Sequence, residues 1–322
     1  MSGNTEKPAG ADPEITVRQA TPDDYEAVAA FTRHTWDDRG VSDYIPDIYH
    51  EWIAGDGPTQ RTFVLDAGDD VAGICQGVLL SDHEAWAQGM RVNTDFRGQG
   101  VSLDLSRALF DWAREQGATV CRNMVFSWNV AGLGQSRAAG FGPGTEFRWA
   151  QPSPDPDATP ALRVTSEADA GWAFWSASDA RSHLQGLALD DEETWALSEL
   201  TRERLRAAAA DDRLFVVQDG GTRGLTYRNR TYEREQATDD GETETHTWAE
   251  YALGAWADPD AARALYRAVA RDAAAVGADR TRVLIPEGVR WVSDTAAARV
   301  GVSEEPDFVM AADLTDPAVA EN

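Results

Sequence analysis

The sequence predicts an α+β protein in which one unit, a mixed sheet flanked by helices (α/β/α), occurs twice. Three observations lead there. Short strand-like runs rich in Val, Ile and aromatic residues alternate with amphipathic helical stretches. A proline-rich segment, QPSPDPDATPA (151–161), divides the 322 residues into two parts of similar length. The same order of elements reads on either side of it.

The first half opens with ITVRQATPDDYEAVAAFTRH (15–34). A short strand leads to Thr21, Pro22 and Asp24, a helix start with cap, first-turn proline and third-position acid. The second half opens comparably with LRVTSEADAGWAFWSAS (162–178). RTFVLDAG (61–68) matches RLFVVQDG (213–220); each is a strand ending in a turn. Gly73 and Gly224 then open the next strands, GICQGVLL and GLTYRNRTY. SRALFDWAREQGATVCR (106–122) matches ARALYRAVARDAAAVGADRTRVL (262–284), a helix followed by a strand. Each half closes with a short helix and a strand. The repeated order is β-α-α-β-β-β-α-β-α-β. The expected organisation is a tail over 1–13, a first domain over 14–150, a linker over 151–161, a second domain over 162–315 and a tail over 316–322. Four prolines make the linker extended, since proline cannot enter a helix interior or a central strand. An acidic insert, EREQATDDGETETH (233–246), reads as a solvated hairpin loop. The Trp-rich helix 171–178 reads either as core of its own domain or as packing between the two.

Composition excludes several function classes. The formal charge is −26, which opposes nucleic acid and anionic membrane surfaces as partners. No apolar run approaches the roughly 20 residues needed to span a bilayer. The start, MSGNTEKPAGADPE, lacks the apolar stretch of a signal peptide, so a cytoplasmic location is expected. Lys7 is the only lysine, and every other basic residue is arginine. Acid-rich, lysine-poor chains are typical of salty cytoplasm, so a halophilic protein is expected. In molar salt the Debye length falls to about 3 Å, and the acids act as a solvated surface rather than as a guide for cations. Cys75 and Cys121 lie in apolar strands and read as buried core thiols. No metal is expected, because five scattered histidines and two cysteines do not make a ligand set.

The most informative stretch is RVNTDFRGQGVSLDLSRALFDWA (91–113). Val101, Leu105, Ala108, Leu109 and Trp112 form one apolar stripe at helical spacing, and Gly117 is a natural stop, so a helix is expected over about 101–116. Before it stands Arg97-Gly98-Gln99-Gly100. Free N–H groups at a helix start attract anions, and glycines let the backbone come close to a ligand. Arg97 adds a charged fork suited to phosphate. The Lys-Ser/Thr of a nucleotide P-loop and a three-glycine dinucleotide fingerprint are both missing.

Arg97-Gly-Gln-Gly100-Val-Ser102, preceded by the strand Met90-Arg91-Val92, resembles the pyrophosphate loop of the GCN5-related N-acetyltransferase (GNAT) superfamily. That pattern is Gln/Arg-x-x-Gly-x-Gly/Ala, and Ser102 departs mildly from its last position. The element order of residues 15–150 is similar to the family fold, whose sheet is mostly antiparallel. The resemblance implies acetyl-CoA as co-substrate. Arg97, Gly98, Gln99, Gly100, Val101 and Ser102 would hold its pyrophosphate, and Met90, Arg91 and Val92 would pair a strand edge with its pantetheine amides. Asn129 matches an Asn that opens the family's next helix; it reads equally as helix cap and as cofactor contact, and one side chain can do both.

The implied reaction is acetyl transfer to a neutral amine, with a strand N–H stabilising the oxyanion. The expected acceptor is a primary amine on a small molecule or amino acid. Ser136 stands where the family usually places an acidic Tyr, and it is the candidate acid. Glu84, beside His83 at the start of SDHEAWAQGMRV (81–92), is the candidate base. In a regular strand Glu84, Trp86, Gln88, Met90 and Val92 share one face. Ordered water is the other route for the proton. Met124 replaces an acid found in some protein N-terminal acetyltransferases, which argues against that activity. In the second half LGAWADPDAARALY (253–266) runs straight into Asp258-Pro259, so Asp258 is expected to cap the helix over the amides a phosphate would use. That half is expected not to bind CoA, and to close the acceptor pocket or supply interface area, as in a homodimer. A non-catalytic acyl-CoA sensor is the alternative function, favoured by the missing Tyr. A purely structural interaction protein is a third.

Overall fold

The computed structural model describes residues 15–33, 35–36, 42–237 and 243–321. The expected N-terminal tail lies outside them. By compactness the chain forms two units. Unit 1 holds Met1–Arg122, Gln135–Phe141 and Ala312–Asn322; unit 2 holds Asn123–Gly134 and Gly142–Ala311.

In unit 1 the strands are β1 (Thr16–Gln19), β2 (Gln60–Asp66), β3 (Val71–Leu79), β4 (Glu84–Val92) and the start of β5 (Val120–Phe126). The first four pair antiparallel in sequence order, and β4 pairs parallel with β5. Helices α1 (Tyr25–Thr32) and α2 (Ile45–Gly55) precede β2. Thr21 and Pro22 open a short 3-10 turn into α1, and the Asp24 carboxylate accepts from the Thr21 N–H, as the sequence predicts. Arg18 donates to Asp24 and to Asp66, and this holds the Asp24 carboxyl below the usual range. Val28, Ile45, Tyr49, Trp52, Val64 and Ile74 form the core under α1 and α2.

Helix α3 (Ser102–Glu115) follows β4. Leu105, Leu109 and Trp112 are buried, as their spacing predicts, while Ala108 is only half-buried. Gly117 stops the helix with φ +97°; its N–H reaches Arg114 O and that of Ala118 reaches Ala113 O. This pair of bonds satisfies carbonyls that the helix end leaves open. Both cysteines are free and buried, and burial pushes their thiols well above the usual range. They sit as inert core residues.

Helix α4 (Val130–Ala138) begins in unit 2 and ends in unit 1. Unit 2 then takes the next strand, β6 (Gly142–Gln151), which pairs antiparallel with β13 (Arg280–Pro286), β14 (Gly301–Val302) and β15 (Asp307–Asp313). Its other elements are β7 (Arg163–Thr165), α5 (Ala168–Ser176), α6 (Asp179–His183), β8 (Leu187–Leu189), β9 (Leu197–Glu199), α7 (Arg202–Ala210), β10 (Leu214–Gln218), β11 (Thr222–Ala237), β12 (Thr243–Trp256), α8 (Pro259–Ala275) and α9 (Val289–Ala297). Apart from the added β8, β9, α7 and β14, the second half follows the element order of the first. Helix α8 buries Ala261, Leu265, Val269 and Ala273 against Val217, Tyr251 and Ile285. The Trp-rich helix α5 packs on α7 and β11 of its own unit and buries Trp175 completely.

Two expectations need correction. The acidic insert is largely strand: β11 and β12 stay paired out to Ala237 and Thr243, and the turn between lies outside the described residues. Cross-strand pairing carries that ribbon through its charges. The proline-rich segment contains no helix and ends the strand β6, as its prolines predict, and it is docked on its own unit. Asp155 N donates to Ala270 O, and Ala158 is buried. The C-terminal stretch read as a tail folds as α10 (Ala318–Glu321), with Val319 buried near Gly140.

Candidate active site

Strand β4 organises the region. Its parallel pairing with β5 covers only Glu84–Trp86 against Val120–Arg122. On the β3 side the register changes from Gln76↔Gln88 to Ile74↔Arg91, so β4 carries one residue more than its partner. Gly89 sits in this bulge with φ +64°, and a Cβ there would lie 2.3 Å from the Trp52 ring. Only glycine fits both the dihedral and the space.

The bulge overturns the expectation that Glu84, Trp86, Gln88, Met90 and Val92 share one face. Trp86 and Gln88 pair with Val78 and Gln76, but beyond Gly89 it is Arg91 that pairs with Ile74 on that face. Val92 pairs with Gly73 on the other. Arg91 therefore turns its side chain toward α2. Its Nε donates to buried Asp43 at 2.7 Å, and its guanidinium lies over Trp36 and Tyr44. Sequence reasoning missed Asp43 and the bulge; a glycine in mid-strand was the available signal.

The loop after β4 is open. Asn93 starts a 3-10 turn, Thr94–Phe96, by accepting from Asp95 N. Gly98 and Gly100 follow with φ +77° and +80°, and a Cβ on either would meet nothing within 4 Å. Gly100 O and Val101 O accept the first turns of α3. Among the hydrogen bonds of the described residues, none uses the N–H groups of residues 98–102. These donors gather at the start of a 14-residue helix, with exposed Arg97 beside them, its Nε on Val92 O. Val101 is buried and anchors the loop to the core.

Asn129 caps α4: its Oδ1 accepts from Gly132 N at 2.9 Å. Ser136, on the same helix, is only 1% exposed. Glu84 is 2% exposed and ion-paired with Arg122 at 2.5 Å, while Ser81 donates to its second oxygen. It opens β4, at the end of the strand away from the loop.

The corresponding helix of the second half is closed, as its sequence predicts. Asp258 Oδ1 accepts from Asp260 N and Ala261 N, and Arg223 pairs with the same carboxylate. The amides at that helix start are met by a side chain of the chain itself. No described helix is long and apolar enough to cross a membrane.

No curated protein matches the chain. A GCN5-related N-acetyltransferase from Sphaerobacter thermophilus is similar in structure at 15% identity and TM-score 0.56, covering 93% of this chain and 96% of that one. A GCN5-related N-acetyltransferase from Anabaena variabilis reaches TM-score 0.50 at 11% identity, covering 94% of this chain and 73% of that one. The acetyltransferase (GNAT) family model matches residues 25–134. The residues that match this family model contain the open loop, and the chain has the fold of these GCN5-related N-acetyltransferases.

Proposed function

We propose that this protein is an acyltransferase that moves the acetyl group of acetyl-CoA to a primary amine of a small molecule or amino acid. The observation that carries the reading is the open row of main-chain donors at 98–102. Its two left-handed glycines place no side chain at positions 98 and 100, where a diphosphate would approach the backbone. Acetyl-CoA supplies an activated acyl thioester. The amides and Arg97 bind and orient its diphosphate. The β4 edge from Met90 to Val92 pairs with its pantetheine arm. A main-chain N–H of β4 would stabilise the charge that develops on the thioester oxygen.

Glu84 meets the demands of a structural carboxylate better than those of a base, because it is buried against Arg122. Solvent then takes the amine proton. Ser136, buried in α4, holds the helix rather than protonating a thiolate, which leaves readily unprotonated. Asn129 fixes the start of α4. The second half is a duplicated and closed copy of the first, since Asp258 covers its helix start.

Calorimetry with CoA, and release of CoA from acetyl-CoA over a panel of primary amines in molar KCl, test the reading. Binding of one CoA per chain with turnover is expected. Stoichiometric binding without release would instead support an acyl-CoA sensor, and no binding would end both readings. The Glu84→Gln variant should melt earlier, because a buried charge loses its partner, yet turn over at a similar rate per folded molecule. A hundredfold loss of kcat with an intact melt would restore Glu84 as the base.

A further inference from the structure

Unit 2 holds a cavity of about 400 Å³, lined by none of the residues of the 98–102 loop. It lies where α5, the turn between α6 and β8, and the junction of β9 with α7 come together. Its volume falls within the roughly 300–1,000 Å³ of small-molecule sites. Half-buried Trp172 and buried Leu200 give it apolar lining. Gly186, left-handed at φ +83°, adds bare backbone, and Arg181 Nη2 lies 3.9 Å from where a Cβ on it would stand.

The charged lining is balanced, Arg181 and Arg202 against Glu199 and Glu203. Arg202 is already engaged, since its Nε donates to Asp169 Oδ1 at 3.1 Å. Arg181 is not. Among the described residues no acceptor meets its guanidinium, and no donor meets the Glu203 carboxylate. The chain has 55 acidic residues for 29 basic ones, so an arginine left without an acid is out of keeping with the composition. The cavity therefore offers one open cation and one open carboxylate beside an indole. A simple anion would suit Arg181 but lie against two carboxylates. A simple cation would suit Glu203 but lie against two guanidinium groups. A zwitterion meets both open groups and brings no net charge.

We propose that this cavity binds a free α-amino acid with an apolar side chain. Its carboxylate pairs with Arg181, its ammonium with Glu203, and its side chain lies against Trp172 and Leu200. The inference stands on unit 2 alone and does not rest on the acetyl-transfer reading. In molar salt, charges more than about 3 Å apart are screened, so each head group is read only by the group it touches. Arg181 and Glu203 then act as separate contacts, each worth a charge-assisted hydrogen bond.

Calorimetry on the full chain in molar KCl, without acetyl-CoA, compares three probes. They are leucine, leucine amide, which lacks the carboxylate, and N-acetylleucine, which lacks the ammonium. Wild type should bind one leucine per chain and each analogue roughly tenfold or more weakly. Arg181→Ala should weaken leucine by a similar factor and lose the preference for leucine over its amide, while keeping the preference over N-acetylleucine. Glu203→Ala should do the reverse. Both side chains are exposed, so neither variant should move the melt, and a thermal scan certifies the fold. Wild type that binds no leucine at millimolar concentration overturns the proposal. So does leucine binding that both variants keep unchanged, because the amino acid then occupies some other part of the chain.

Discussion

Gly98 and Gly100 hold dihedrals that other residues rarely adopt, and neither has a neighbour for a side chain to strike, so a substituted loop can relax into solvent without disturbing the core. Replacing both with alanine should therefore weaken CoA binding by tenfold or more while moving the melting temperature little. Calorimetry beside a thermal melt reads both. Asp307 allows a pH prediction within unit 2. Burial raises its carboxyl to about 6, although Trp149 Nε1 donates to it and Arg282 lies near. The folded value exceeds the unfolded one, so the folded state binds the proton more tightly. No cost exists below about pH 4, where both states are protonated. As pH rises to about 6 the fold loses on the order of 2 kcal/mol to this group. Asp307→Asn keeps an acceptor for Trp149, so it should raise the melting temperature at about pH 8 and leave it unchanged at about pH 4.

The helix starts of α3 and α8 show how one element is put to opposite uses. In α3 the amides are open and the loop before it carries glycines at 98 and 100; in α8 Asp258 meets the corresponding amides from within the chain. Asp258→Ala should cost about 1–2 kcal/mol of stability, since it removes the cap, and should leave CoA stoichiometry at one per chain. A denaturation series and a binding isotherm decide the two halves of that statement. The bulge at Gly89 is the other element on which much depends. Gly89→Ala puts a methyl into the Trp52 ring and forbids the positive φ, so it should disturb the whole edge from Gly89 to Val92. The expected result is lost CoA affinity together with a lower melt, in contrast to the loop glycines, where affinity alone falls.

At the scale of the whole molecule, compactness crosses the two sequence halves. The first half's last strand, β6, belongs to unit 2, and Leu314, whose N–H reaches Thr119 O, belongs to unit 1. Fragments cut at 150 or begun at 162 should therefore be insoluble when expressed alone, because each lacks part of its own core; soluble and cooperative melting of either would refute this. The net charge of −26 destabilises the compact state by self-repulsion that salt screens, so we expect the melt to rise from dilute to molar KCl.

Local chemistry made much of this legible in advance. The caps at Thr21, Asp258 and Gly117, the apolar stripe of α3 and the bare glycine loop all depend on neighbours within a few residues, and sequence spacing states such relations directly. The bulge, the turning of Arg91 toward Asp43 and the ion pair that immobilises Glu84 were decided only in three dimensions. Each joins residues far apart in the chain, and one extra residue in β4 was enough to reverse which side chains face α2. A period-of-two pattern carries no record of such a shift; register with the neighbouring strand creates it.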